Sequence, residues 1–361
     1  MVEVPLHARH IELGAKMGPF GGWDMPIEYS TGTKVEHAAV RNAVGLFDVS
    51  HMGKLRILGP GAVDFINRML TNDLGRITPG QAQYSMMCNE QGGIIDDMIV
   101  YLVGPDEVRI IPNASNATTV AGVLEDAAPE GITIENKHLE QGIIAVQGPK
   151  SGELVARLGL PKDHEYMSFV DATWEGYALT ICRTGYTGEQ GYEIVIANAG
   201  VQPLWDTLLE KGADLGVLPI GLGARDTLRT EMGYPLHGQD ISLEISPVQA
   251  RAGWAVGWGK EFFVGKAALE AEKAAGPKRI SWGLKATGRG IPRAHMPVKN
   301  AAGDGIGETT SGTFSITLEE GIAIALLAPT SKEGDEVVID VRGRDLTAVV
   351  VKPPFVKTNA K

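Results

Sequence analysis

Two strand-like runs sit almost back to back in this chain. Residues 98–103 (MIVYLV) and 107–112 (EVRIIP) are separated by a short Gly-Pro-Asp-Glu turn. Parallel neighbours need a crossover of a dozen residues or more, so this spacing reads as an antiparallel hairpin. Other strand candidates are 54–58 (KLRIL), 142–147 (GIIAVQ) and 178–183 (ALTICR). Helical patterns fall between some of them, without the regular rhythm of a parallel sheet. The expected class is therefore α+β and not a doubly wound sheet.

The helices are read from apolar spacing and end signals. Residues 34–44 (KVEHAAVRNAV) predict a helix, with Thr33 and Glu36 as a capping box and Gly45 as the stop. The run after Pro60 (GAVDFINRML) has helical spacing, and 114–127, 149–158 and 202–214 read as further helices. The character changes after Trp258. A short helix at 265–275 ends at Gly276-Pro277, a plausible linker. Beyond it come short strands at 280–284, 305–309, 320–327, 336–341 and 346–352, which is all-β text.

With 361 residues, the chain has room for two or three domains. At 43% hydrophobic and 21% charged it has the apolar material for real cores. A formal charge of −11 argues against wrapping nucleic acid, though a small anionic ligand needs only a local positive cluster. Cys88 and Cys182 lie in apolar text without metal-ligand spacing, which predicts free thiols and no zinc site. The opening MVEVPLHARH has no signal-peptide pattern, and the best apolar run, Ile322 to Ala328, is far short of a membrane span. A cytoplasmic protein is expected.

Five segments combine turn glycines with ionisable or aromatic side chains: Asp48 to Gly53, Tyr84 to Tyr101, Asn113 to Asn116, Arg183 to Glu193, and Gly221 to Asp240. Asp96 and Asp97 enter an apolar strand, so alternation sends one carboxylate to each face. One of them facing a cavity would have a tunable pKa. Taken alone, the pair reads better as two solvated aspartates closing a turn. The glycine-rich stretch from Arg183 to Glu193 reads better as a hairpin loop than as a phosphate cradle. Arg225 and Arg229, four apart on a predicted helix, share a face. That face is either solvated beside Asp226 and Glu231, or turns one guanidinium inward as an anion or carbonyl clamp. His51 and His237 suit structural or surface roles. Met52, Met86 and Met87 read as core filler that could also pack on a flat ring.

Taken together, these segments resemble the glycine cleavage T-protein family almost end to end. The resemblance runs from PFGGWDMPIEY and FDVSHMG through NEQGGIIDDMIVY, NASNA, AVQGP, RTGYTGEQGYEI, GLGARDTLRTEMGYPLHGQD and ISPVQA. It closes with SGTFSITL and KPPFVK. It implies a three-domain cloverleaf around a central folate cavity, built of antiparallel sheets plus a C-terminal β-barrel-like unit. The implied domains are a discontinuous first domain (1–52 and 139–245), an inserted α+β domain (53–138) and a linker helix with barrel (246–361). The implied activity is aminomethyl transfer. A one-carbon unit carried on a lipoylated H-protein passes to tetrahydrofolate, giving 5,10-methylenetetrahydrofolate, ammonia and the dihydrolipoyl carrier, with no metal.

Residue by residue, the resemblance puts the catalytic aspartate on Asp97, the pterin-binding glutamate on Glu193 and the site arginine on Arg225. It assigns Met52, Tyr84, Tyr101, Asn113 and Tyr186 to the folate lining. A carboxylate can accept two adjacent N–H donors from a pterin edge, and aromatic or Met side chains can flank the flat ring. Two features depart from the pattern: His237 stands where many members carry Tyr, and Cys88 replaces a more usual aliphatic residue. Two relatives on the same fold are weighed against this reading. One is another folate-dependent demethylase or methyltransferase. The other is a non-enzymatic folate-binding iron–sulfur assembly protein, whose cysteine-containing KGCYxGQE-type motif is absent here.

Overall fold

The structure, a computed structural model, describes residues 1–358. Its first core is a six-stranded sheet in the order Phe169–Trp174, Tyr177–Cys182, Gly191–Ala197, Gln141–Gln147, Val44–Asp48 and Val217–Pro219. All neighbours in it are antiparallel except the last pair. The helices Ser151–Arg157 and Asn198–Lys211 cover one face, with Trp205, Leu204 and Val201 packed on Ile144, Val146 and Ile194. Burying that many large apolar side chains, at about 25 cal/mol per Å², is the main force holding this unit together.

The chain leaves this sheet after Asp48 and returns to it at Gln141. Between the two it builds a five-stranded antiparallel sheet in the order Ala82–Cys88, Ile94–Gly104, Glu107–Pro112, Leu55–Leu58 and Thr133–Asn136. The helices Ala62–Met69 and Ala117–Ala127 pack Phe65, Ile66, Val120 and Leu124 onto Leu55, Ile57, Val100 and Ile110. The expected hairpin is here, longer than the sequence suggested, with Val100 opposite Ile110. After the helix Lys266–Ala275, six strands from Ile280 to Val351 close into an antiparallel barrel around Leu284, Ala325, Ile339 and Val350. The mixed, mainly antiparallel α+β class and the C-terminal barrel are thus as expected. A small three-stranded sheet, Val2–Glu3, Trp23–Glu28 and Lys16–Phe20, completes the fold.

Some local expectations are corrected. The helix near the start spans Thr33–Asn42, its N-cap is Gly32, and no side chain caps it. Glu36 instead accepts from the Tyr29 and Gly221 backbone N–H groups, at 2.6 and 2.8 Å, so tertiary donors replace the capping box. Gly45 does not stop this helix but lies inside the strand Val44–Asp48, where a Cβ would meet Ile220 Cγ1 at 2.5 Å. The strand Pro297–Asn300 of the barrel was missed. Cys88 and Cys182 are buried free thiols. No helix among the described residues is long and apolar enough to cross a membrane.

Candidate active site

Asp96 and Asp97 sit three and four residues into the strand Ile94–Gly104. They are not the solvated turn residues that their type suggested: Asp96 is fully buried and Asp97 partly so. The strand begins at Ile94, ahead of the pair, so both carboxylates are carried into the sheet. Asp96 accepts from Asn113 N and Nδ2, each at 2.9 Å, and from Asn116 Nδ2 at 2.7 Å. The same Asn113 amide donates to Asp97 Oδ1 at 2.9 Å. Asp96 therefore fixes Asn113, and Asn113 fixes Asp97.

The second oxygen of Asp97 is held by Tyr84, whose hydroxyl donates to Oδ2 at 3.0 Å. Met86 lies directly opposite Asp97 in the register, and Tyr84 stands two positions away on the same face. The outer side of the Tyr84 ring stacks on Trp254, with centroids 5.3 Å apart. Burial pushes the Asp97 carboxyl up to about 7, and the neighbouring Asp96 charge adds to the push. The Tyr84 hydrogen bond, the His237 charge and the Asn113 hydrogen bond pull the other way. Asp96 rises to about 6 by burial, against the hydrogen bonds from Asn116 and Asn113. Two adjacent carboxylates in a poorly solvated place resist double ionisation.

Glu193 comes from the other sheet, on the strand Gly191–Ala197, with Ala145 and Cys182 as its cross-strand neighbours. The Thr184 hydroxyl donates to it, and Tyr101 approaches the same hydroxyl at 3.3 Å. No ion pair to Glu193 is present among the described residues. Tyr101 itself is buried, and it borders a cavity of about 340 Å³ between the two sheets, together with Lys54, Ile111 and Cys182.

The expected hairpin loop joins Tyr177–Cys182 to Gly191–Ala197 and carries Tyr186. Gly188 in it has φ +80°, and a Cβ there would lie 2.3 Å from Met232 Sδ, so only glycine lets the loop seat on the helix Leu222–Met232. The Tyr186 hydroxyl donates to the Pro235 carbonyl, its ring stacks on Tyr234, and the Arg225 guanidinium stands over it at 4.5 Å. The shared face of Arg225 and Arg229 is not solvated. Arg229 is bound to Asp240 and Asp226, each at 2.8 Å, and Glu231 is fully buried. Arg225 has no acidic partner within ion-pair distance among the described residues. Burial lowers its affinity for a proton, while the charges of Tyr186 and Glu193 oppose that. Asp97 acts electrostatically on Tyr84 and Tyr186, and Tyr186 also feels Arg225.

The structure joins Asp97 to Tyr84 and Asn113 by hydrogen bonds, sets Arg225 over the Tyr186 ring, and joins Glu193 to Tyr101 through Thr184. Met52 is half-buried and packs on the cluster that holds Ala224 and Leu228, on the helix of Arg225. Sequence reasoning missed Thr184, Asn116 and Trp254 as partners. Asn116 was visible in the NASN run, but nothing local marks Trp254. His51 is buried with Nδ1 unpartnered among the described residues, and burial, assisted by the Arg225 charge, pushes it down to about 3. No group of three or more metal-ligating side chains converges among the described residues.

Two family models cover nearly the whole chain: the GCVT N-terminal domain over residues 6–260 and the glycine cleavage T-protein C-terminal barrel domain over 279–357. The chain belongs to the glycine cleavage T-protein family. An aminomethyltransferase of Frankia alni is 57% identical over 358 residues, 99% of this chain and 98% of its own length. One of Mycobacterium tuberculosis is 52% identical over 363 residues, 100% and 98% of the two chains. The crystal structure of the glycine cleavage system aminomethyltransferase T from Bartonella henselae superposes with a TM-score of 0.93 at 34% identity, covering 99% of this chain and 98% of that one. This T-protein family member is an enzyme, an aminomethyltransferase of the glycine cleavage system.

Proposed function

We propose that the two carboxylates and the unpaired arginine of this neighbourhood hold tetrahydrofolate. The aminomethyl group would arrive on the lipoyl arm of an H-protein, in the cytoplasm. The reading rests on one observation above others: the Arg225 guanidinium stands over the Tyr186 ring at 4.5 Å and Glu193 is held by the Thr184 hydroxyl, yet among the described residues neither charge has an ion-pair partner. Half-buried charges left unpaired are costly, and a ligand that hydrogen-bonds them removes the cost.

Glu193 would accept two adjacent N–H donors from the amino-pyrimidine edge of the pterin, while Tyr186 and Met52 pack on its faces. Arg225 would anchor a carbonyl or carboxylate. Asp97 would stand by N5 and N10. In the reaction the aminomethyl carbon leaves the lipoyl sulfur and its amino group, and bonds to both folate nitrogens. The two N–H protons given up there go to the thiolate and to the departing amine, so the products are a thiol, ammonia and a methylene bridge. Positive charge builds on nitrogen as each new bond forms. A carboxylate held by Tyr84 and Asn113 stabilises it without reorganising, and can take a proton in passing. The unit bearing Asp97 would be the inserted domain of residues 53–138, set against a first domain of 1–52 and 139–245. The third domain would be 246–361, whose last residues, 359–361, lie outside the described ones.

Calorimetric titration of tetrahydrofolate tests the placement. Glu193→Ala should weaken binding at least tenfold, and an unchanged affinity would overturn the pterin role.

A further inference from the structure

The sheets that bear Asp97 and Glu193 are joined covalently by two stretches of chain, residues 49–54 going out and 137–140 coming back. Lys54 stands where the two meet. Its ammonium donates to Ser50 O at 2.7 Å in the outgoing stretch, to His138 O at 3.0 Å in the returning one, and to Gln141 O at 2.7 Å just beyond it. An ammonium has three protons to donate, so three carbonyls saturate it. Lys54 is only 3% exposed. Further bonds tie the same junction: Lys137 N donates to Lys54 O at 2.8 Å, and the His138 ring donates from Nε2 to His51 O at 2.8 Å. Two short paths lead from here to the site. In one, Gly53 N donates to Pro112 O at 2.9 Å, so closely packed that a Cβ on Gly53 would lie 2.6 Å from Pro112 Cγ. The next residue, Asn113, holds Asp96 and Asp97. In the other, Gln141 opens the strand Gln141–Gln147, whose Ala145 lies opposite Glu193.

We propose that Lys54 is a positioning residue: its ammonium closes the crossover and so fixes where Asp97, on one sheet, stands relative to Glu193 on the other. The inference rests on the reading given above, in which one folate engages both carboxylates. Ser50 and His138 lie outside any strand, and no backbone N–H among the described residues donates to either carbonyl. Without the ammonium these acceptors lose their donor in a place with little water, and the stretches shift to hydrate them. Arg109 bridges the sheets elsewhere, to Asp171 at 2.8 Å and Thr180 at 3.0 Å, so the crossover loosens without the sheets parting. Such a shift acts on turnover more than on binding. Asp97 has to stand by the reacting nitrogens, where a small misplacement is costly, whereas Glu193 grips the pterin from its own sheet.

The test compares kcat with calorimetric tetrahydrofolate affinity in the full-length enzyme. Lys54→Met keeps most of the stem and removes the charge. Its kcat should fall about tenfold to a hundredfold while affinity stays within about threefold of wild type. Lys54→Ala empties the space beside the cavity of about 340 Å³ between the sheets, which runs out to the exposed Asp171. Added propylammonium should enter there and restore kcat saturably, whereas tetramethylammonium at the same ionic strength, with no N–H to donate, should not. A role in stability alone would lower Tm and leave the kcat of folded Lys54→Met unchanged, and that outcome overturns the proposal. So does an affinity loss as large as the loss of kcat, or a folded Lys54→Ala that propylammonium fails to rescue. If Lys54→Ala does not fold, Lys54→Met decides. Glu193→Ala and Asp97→Asn separate the two readings. If the first keeps full folate affinity and the second full turnover, the folate reading fails. If both lose function while Lys54→Met turns over normally, only the role of Lys54 fails.

Discussion

Tyr84 donates its hydroxyl to Asp97 Oδ2 at 3.0 Å from two positions along the neighbouring strand. The bond favours the ionised carboxylate in a place where burial opposes it. Tyr84→Phe removes the donor and leaves the ring stacked on Trp254. Hydrogen bonds to charged groups are worth about 1.5–3 kcal/mol, so turnover at neutral pH should fall roughly tenfold or more. Losing a bond that lowers the Asp97 pKa lets it rise, so the acid limb should move to higher pH. A steady-state pH series checks both; an unchanged limb would show that the bond orients Asp97 without tuning it.

Asp97→Ala should remove most turnover and spare most folate affinity. Preorganised electrostatic groups of this kind are commonly worth about 10²–10³ in rate. Single-turnover transfer to tetrahydrofolate, measured beside calorimetric affinity, separates the two quantities. Near wild-type transfer would take Asp97 out of the chemistry.

The same carboxylate carries a stability cost with a definite sign. Burial raises Asp97 in the folded protein to about 7, from an ordinary value of 3.8. The folded state therefore binds the proton more tightly than the unfolded one, and stability falls as pH rises between those two values. Asp97→Asn has no charge to desolvate. It should raise Tm by several degrees at pH 8, and the gain should vanish near pH 4, where Asp97 is already neutral in the fold. Thermal unfolding at the two pH values measures this. A constant gain would trace the effect to packing and not to charge.

Local text carried the helices and the hairpin because their signals are local: apolar spacing, a short turn, a glycine after the last helical turn. It failed where a long-range partner decides. Thr33 and Glu36 have the form of a capping box, yet Glu36 is taken by the backbone of Tyr29 and of Gly221, far along the chain. Asp96 and Asp97 look like turn residues because the strand around them is recognisable only from Met98 onward. What buries them is Asn113 and Asn116 folding back, and the segment 237–243 closing the edge. Val44–Asp48 is buried at every position, so it shows none of the alternation by which a half-buried strand is found. The site role of Asp97, Glu193, Arg225 and the folate-lining residues was legible only as a set, through family resemblance, since they lie on different elements far apart in the chain.

The two arginines of the helix Leu222–Met232 give the sharpest contrast. Arg229 is almost fully buried and bound to Asp240, Asp226 and Ser311, so it joins the helix to the segment 237–243 and to the barrel. Breaking a buried pair by removing one partner typically costs about 3–5 kcal/mol. Arg229→Ala should therefore lower Tm sharply and yield less folded enzyme, with the surviving fraction changed mainly through the displaced loop. Arg225 makes no ion pair among the described residues and rests on the Tyr186 ring, so its truncation strands no charged partner there. Arg225→Ala should keep Tm within a few degrees of wild type while weakening tetrahydrofolate at least tenfold. Arg225→Lys should recover only part of that affinity, because a point charge lacks the planar face that stacks on Tyr186. Differential scanning calorimetry and folate titration on all three variants decide the matter. If Arg225→Ala loses stability as Arg229→Ala does, its unpaired charge is structural and the ligand-holding role is lost.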